Sequence, residues 1–447
     1  MKYSQVPKIL LFLLASVVLW FGFTGCGGPV HEIENPTNGH PTEAMPSVSG
    51  EATGTTIGYT YHRPDGNRLV AGRSALPDAA FIDLRLKGVP RWIVGAATGG
   101  SSLWVAVLDD GQVEGFRLES GQIQSIPVIP EQIPAGMPPL LKVTNGQAML
   151  VVPAKPNASE VTHPILLPSS GDLVFVDSDG DIVFWDGAET GRLRLKALPD
   201  ARLLVDERER ILVLADATTR YAHGVLGDKV EAGSVTLIET KPSPRVLVTI
   251  PMPGDSVVEG IAPIWVDMTG DGLWEIVVTV SNAREGAVIV VFDEAGRQIA
   301  AGPSIGQGSR WRHQMAVAPF GPNGENELAD VLTPHLGGVV EFYQLYGNKL
   351  KVVAEVRGYT SHIIGSRNLD MAVAGDFDGD GQLELLLPNQ GRTGLGGIRR
   401  TEAGVKVAWT LPIGGRISTN IAAVTLNNGK LTIAVGREDG VMRVWLP

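Results

Sequence analysis

The chain has 447 residues, enough for one large domain or two ordinary ones. Charged residues make up only 19% while Gly (55) and Pro (30) are abundant, which argues against a helical protein and for a turn-rich, all-β one. A formal charge of −11 argues against a nucleic-acid partner, and a single cysteine excludes any intramolecular disulfide.

Residues 1–25 read as an export signal. Lys2 and Lys8 give a basic start, and Ile9 to Phe23 is an uncharged apolar run of fifteen, short for a membrane span of about 20. Phe23-Thr24-Gly25-Cys26 follows. The whole resembles a bacterial lipoprotein signal, in which small residues precede a cysteine that is diacylated before cleavage, with Phe23 standing where such signals usually carry Leu. An uncleaved anchor helix is the competing reading. The resemblance implies lipidation at Cys26 and attachment to the bacterial cell envelope, at the outer membrane or cell surface. Gly27 rather than Asp behind the cysteine implies no retention at the inner membrane. Removing the signal takes away two lysines and no acids, moving the charge from −11 to −13.

Residues 26–54 lack aromatics and periodicity and are rich in Pro, Gly, Thr and Glu, the composition of a flexible tether. His31 and His40 within it have no neighbouring ligand pattern and read as solvated. Residues 55–78 are expected to lead into the folded domain, 79–447.

That domain repeats. One signal is a strand of small residues running into a turn, at 263–278, 315–334, 371–388 and 421–436, with weaker copies at 92–108, 141–153 and 203–216. The other is a glycine followed by two strands around a polar turn, starting at Gly111, Gly180, Gly233, Gly286, Gly338, Gly397 and Gly440. Four of these glycines, 180, 233, 286 and 338, lie 53, 53 and 52 residues apart. Four strands per unit of about 50 residues, seven times over, predicts a seven-bladed β-propeller. The last copy stops after one strand, and Phe81 to Lys87 is an alternating strand without a hairpin. It is expected to close blade seven, since an open ring would leave an exposed edge. Two stacked β domains, or an eight-bladed ring that also uses Thr55 to His62, are the alternatives. Small residues at the inner strands (Ala316, Ala318, Ala372, Ala374, Ala422, Ala423) suit the crowding near a propeller axis.

Two of the turns carry acids at metal-ligand spacing. Asp376, Asp378, Asp380 and Glu384 stand at loop positions 1, 3, 5 and 9, with Gly379 and Gly381 between them and Gln382 offering its carbonyl. Oxygen donors so gathered suit Ca²⁺, and the short apolar flanks place the loop in a β-hairpin rather than between helices. A second loop, Asp267, Thr269, Asp271 and Glu275, replaces one acid by a hydroxyl and is expected to bind more weakly. The other copies keep too few acids.

The segment 371–388, A-V-A-x-D-x-D-G-D-G-x-x-E with apolar flanks, resembles the FG-GAP/VCBS repeats of bacterial surface proteins, which are related to the propeller repeats of integrin α subunits. The resemblance implies a calcium-binding propeller and says almost nothing about activity. Glu384 stands where that family more often has Asp.

No catalytic signature is present: no H-E-x-x-H, no G-x-S-x-G, no P-loop and no cysteine nucleophile. D-x-x-T-G-like turns at Asp186 and Asp293 lack the tryptophan that closes quinoprotein repeats, so a quinone cofactor is not expected. Arg91, Arg310, Arg367 and Arg416 each lie just before an inner strand, in four blades that are consecutive around the ring. With Arg312, His313, His362 and Asp370 they are expected at one mouth of the central tunnel, either as blade-to-blade salt bridges or as a pocket for an anionic ligand. The expected protein is a lipid-anchored, monomeric, calcium-stabilised binding or scaffold module outside the cytoplasm, partnered by an envelope protein or a glycan. A carbohydrate-active lyase or hydrolase working at that mouth, and an envelope-assembly lipoprotein, are the alternatives.

Overall fold

A computed structural model describes residues 54–447 other than Ala222. The signal segment, Cys26, His31, His40 and the tether up to residue 53 lie outside the described residues.

Alternation along the strands decides the architecture. In Leu431–Arg437, Leu431, Ile433 and Val435 pack with Leu386 and Leu395 on one side, while Ala434 packs with Trp104 and Phe116 on the other. Successive side chains of a strand point to opposite faces, so a strand apolar at every position must lie between two sheets. The same holds all round the molecule. Apolar clusters join each sheet to the next in a closed circuit, and the fold is a β-propeller. Among the described residues there is no α-helix, only a 3₁₀ turn at Leu76–Asp78, and no helix long and apolar enough to cross a membrane.

Seven antiparallel four-stranded blades recur. Blade one spans 90–126, two 165–194, three 204–251, four 264–301, five 312–357 and six 373–412. Blade seven has three strands within 422–445 and takes its fourth, Phe81–Arg85, from the front of the chain, in register from Phe81↔Trp445 to Arg85↔Val441.

The circuit holds one sheet more than the seven counted in the repeats. Leu141–Thr144 and Gln147–Leu150, expected to open blade two, form a hairpin of their own between blades one and two. Thr55–Gly58 pairs along its inner edge, from Thr55↔Thr144 to Gly58↔Leu141. Pro153 and Pro156 follow the hairpin and offer no N–H to a ladder, so no outer strands are added to it. Blade two opens instead on the two-residue strand Ile165–Leu166.

Residues 55–78 are no lead-in; they fill the axis. Thr55–Gly58 runs antiparallel to the inner strand Leu141–Thr144, whereas Leu69–Arg73 runs parallel to the inner strand Val373–Asp376. The segment therefore ascends and descends as a U. Its ends lie on the lower face, where the turns after the inner strands are, and its tip, Tyr59 to Arg68, reaches the upper face. Gly58 passes so close to Gly95 that a β-carbon would meet the Gly95 carbonyl oxygen at 2.5 Å. The tip then bonds to successive blades. Val205 N–H donates to the Pro64 carbonyl (2.8 Å), Trp265 N–H to Asp65 (3.1 Å) and Ala374 N–H to Arg68 (2.7 Å). The Asn67 amide copies a ladder pair with Val317, giving Nδ2–H to its carbonyl (2.8 Å) and taking its N–H (3.0 Å). His62 Nε2 donates to the Ile421 carbonyl at 3.1 Å.

Beneath the tip lies a fully buried ion cluster. Arg202 grips both oxygens of Asp370 (3.1 and 2.8 Å), and Arg68 Nε bonds the same carboxylate at 3.1 Å while its Nη1 reaches the Gln314 and Met315 carbonyls. Burial alone would raise the Asp370 pKa, but the two guanidiniums outweigh it and hold it down at about 2. Asp370→Asn should leave two buried cations without a counter-charge and cost about 3–5 kcal/mol, read by chemical denaturation. Deleting residues 27–53 should leave the melting temperature unchanged, whereas deleting through residue 78 should lower it; equal melting of the two truncations would show that the axial segment bears no load.

Candidate functional site

On the upper face, the connections that enter the inner strands and those between second and third strands converge around the axis. All six histidines among the described residues, His62, His163, His223, His313, His335 and His362, lie in these connections, at the start of an inner strand or on the tip of the U. Trp311 gathers three of the rings around it. His313 stacks on it at 4.4 Å between centroids, His335 lies at 6.2 Å, and His362 meets it edge-on at 5.2 Å. His362 Nε2–H donates to the Ser366 carbonyl (2.7 Å), which leaves its Nδ1 to accept from His335 Nε2–H at 2.8 Å. His313 Nδ1 pairs with Ser361 Oγ at 2.9 Å. Burial keeps these rings neutral, pulling His335 down to about 4 and His362 to about 3.

Beside them sits an acidic group of a different kind. Glu259 takes His223 Nδ1 on one oxygen and Ser281 Oγ (2.6 Å) on the other. Burial works against protonation of His223, but its bond to Glu259 prevails and raises its pKa. Glu231, buried nearby with Oε2 unpartnered, is pushed up to about 9 by burial and then by Glu259. Arg367 spans Asp200 (2.8 Å) and Asp228 (2.6 Å).

The expected arginine mouth does not assemble. Arg91 and Arg310 are exposed, the guanidinium of the latter bonded to the Gln307 carbonyl (2.8 Å), and the Arg416 guanidinium lies 3.9 Å from the Glu438 carboxylate. Arg312 turns into blade five, against Asp330, Glu341 and Tyr343. Arg367 makes a salt bridge between blades, to Asp200 and Asp228 on the way into and within blade three. Of the expected set, His313 and His362 alone come together, 6.1 Å apart. Arg68, Arg202, His163, His223, His335, Trp311, Glu231 and Glu259 were not singled out by sequence; the usable signal was that every described histidine but His313, at the start of its strand, falls in a connection. Two open concavities of about 560 and 530 Å³ lie off the axis, along 132–136 with Glu160 and Val161, and along 301–303 with 348–352. Neither gathers a histidine, a nucleophile or a carboxylate pair.

On the lower face, the Asp376 loop brings oxygens of Asp376, Asp378 and Glu384 within 4.8 Å of one another, the gathering a divalent ion needs. The space between them is taken by a side chain. Arg399 stands opposite Glu384 in the ladder and bonds Glu384 Oε1 through Nε (2.8 Å), Asp380 through Nη1 (2.6 Å) and Asp378 through Nη2 (2.5 Å). A divalent ion at ligand distances of about 2.3–2.6 Å would sit against this guanidinium, and the donor set does not fit it with Arg399 in place. In the second loop Asp267, Asp271 and Glu275 bond to the loop's own N–H groups and do not converge in this way. Thr269 contributes its N–H to Glu275 at 3.2 Å, and Gln382 gives its N–H to Asp380 at 2.9 Å.

Glu231 supplies a test of the upper-face electrostatics. Its folded pKa lies above its unfolded value, so the folded state holds a proton that the unfolded chain releases between pH 4.5 and about 9. Stability must therefore fall as pH rises through that window. Glu231→Gln should remove this slope and leave the variant more stable than the parent at pH 8, by on the order of a few kcal/mol. Parallel stability–pH curves would show that Glu231 is ionised in the native state.

No family model matches the chain, and no curated protein matches it in sequence. Solved structures do resemble it. A europium-containing methanol dehydrogenase aligns over 84% of this chain and 88% of its own at 8% identity, with a TM-score of 0.52. The β-propeller domain of Myceliophteria thermophila Cps50 (Swd1) aligns over 82% and 99% at 12% identity, with a TM-score of 0.41. BBS1N, solved in complex with ARL6DN, aligns over 84% and 93% at 12% identity, with a TM-score of 0.36. At 8% identity the likeness to the methanol dehydrogenase speaks for the fold alone, in agreement with the ring of sheets described above: the chain is a β-propeller.

Proposed function

We propose that the protein is a binding module of the bacterial cell envelope, anchored through a lipid on Cys26, monomeric, and engaging a polypeptide partner with its upper face. One observation carries the reading. The axis is filled by the chain's own residues 55–78, so what is left for a partner is a shallow, charge-paired face rather than a deep pocket. Beside the His335–His362 pair that face exposes two aliphatic side chains, Leu336 (72%) and Ile364 (68%). Solvent-facing aliphatic groups ringed by polar ones suit a protein interface. Glycan recognition usually needs an exposed aromatic platform, and here Trp311 is buried under the histidines.

A second reading, catalysis on a glycan, draws on Glu231 and Glu259, two neighbouring carboxyl groups in contrasting surroundings, one of them held protonated at neutral pH. The mature protein offered to envelope extracts and to a glycan array separates the two. Leu336→Asp and Ile364→Asp should each weaken capture of an envelope protein at least tenfold with unchanged melting. Glycan turnover abolished by Glu231→Gln would instead select the enzyme. Cys26→Ala should release the protein from the membrane fraction or leave its signal uncleaved; mature protein without lipid mass at Cys26 would remove the anchor from the reading.

A further inference from the structure

We propose that arginine does in this propeller what a divalent cation does in D-x-D-x-D-G turns, so that the Asp376 loop is a calcium-type loop fastened by the chain itself. The inference concerns the lower face and does not depend on what the upper face binds.

The accounting at this loop is complete. Asp376 takes Gly379 N–H on one oxygen (2.7 Å) and Gly381 N–H on the other (3.1 Å). Asp378 takes Asp380 N–H (3.4 Å) and Arg399; Asp380 takes Gln382 N–H (2.9 Å) and Arg399; Glu384 takes Phe377 N–H (2.9 Å) and Arg399. All eight carboxylate oxygens have a donor, and Arg399 supplies one to each of the three that the backbone serves on one side only. Two carbonyls of the loop are occupied as well. The Asp376 carbonyl accepts Ser74 N–H (3.0 Å), and that of Phe377 accepts Ser74 Oγ (3.0 Å) and Leu76 N–H (2.8 Å), so the descending arm of the axial U is tied to this same loop.

The device recurs at neighbouring turns on the same face. In blade five, Glu327 occupies the place of Glu384 at the start of the second strand. It is held by Arg400 of blade six, through Nε (2.8 Å) and Nη2 (3.1 Å). Arg399 and Arg400 are adjacent on one strand and so point to opposite faces, one serving its own blade and one the blade before. In blade three, Arg210 Nε bonds Asp206 at 2.7 Å, and its two terminal nitrogens take Glu294 of blade four at 2.8 and 2.7 Å. Blade four, between them, has no arginine at its turn. There the ladder places Asp293 opposite Glu275, one acid of the series is already Thr269, and burial raises the pKa of Glu275. The turn has lost a charge where no guanidinium replaces the ion. A tethered guanidinium cannot diffuse away, and its planar fork matches two carboxylates at once.

The test uses calcium alone on the full-length mature protein. Wild type should melt at the same temperature in EDTA and in millimolar calcium, and calorimetry should register no calcium binding that Asp378→Asn abolishes. Arg399→Gln should melt lower in EDTA and recover on adding calcium, because removal of the guanidinium leaves a vacant, fully acidic loop. Wild type stabilised by calcium as much as Arg399→Gln, or Asp378-dependent calcium binding in wild type, would overturn the proposal. Should Arg399→Gln fail to fold in EDTA, refolding in calcium supports it and failure in both media overturns it; the wild-type calorimetry decides independently.

Discussion

One carboxylate carries the organisation of this propeller. Asp370 sits at the axis and is shared by Arg202, from the approach to blade three, and Arg68, from the segment inside the ring. Two cations on one anion in a dry interior would gain nothing over well-packed apolar groups of the same volume, since desolvation offsets most of the attraction. What the cluster supplies is position. A carboxylate held bidentately by one arginine leaves a narrow angular range for the second, and this fixes the height at which the U-shaped segment stops. Asn67 and Asn420 extend the logic with amides. Asn420 bonds both the N–H and the carbonyl of Ile93, joining blades seven and one just as Asn67 joins the segment to blade five.

The two faces differ in how they handle charge. Toward the upper face, burial strips the histidines other than His223 of their protons and holds one on Glu231. Toward the lower face, arginines hold the carboxylates in groups, three on Arg399, two on Arg210 and one on Arg400. A filled axis separates the two, so chemistry at one face has no passage to the other.

Much of the ring was legible because its physics is local. Alternation along each strand, glycines about 52–53 residues apart and an unpaired strand at Phe81 follow from constraints spanning a few residues. The eighth sheet was legible only in the alternative of a ring that also uses Thr55 to His62, since it is built from a short hairpin and a strand 83–89 residues earlier that supplies its inner edge. The axial segment was hidden for a related reason: Tyr59 to Arg68 mixes polar and aromatic residues without a period, and its partners lie hundreds of positions away. Arg399 read as an ordinary strand residue, and nothing within the loop itself reveals which side chain crosses over it. The arginine rim failed on direction. Residues at like places in successive repeats need not point alike, and Arg312, already inside its strand, is turned by the pleat toward Glu341.

The axial segment is made first and can be seated only last. Thr60 meets Asp370 across 310 positions and His62 meets Ile421 across 359, so its sockets do not exist until nearly the whole chain is present. Contacts of such span are formed late, after the local hairpins, because the loops they close are long. The blades must therefore assemble around an open centre and then admit the U, or gather upon it as it waits. In either order a chain cut short before blade seven lacks both the outer-strand partner of Phe81 and the carbonyl that His62 needs, and truncated products are left with an unlatched ring and a loose core.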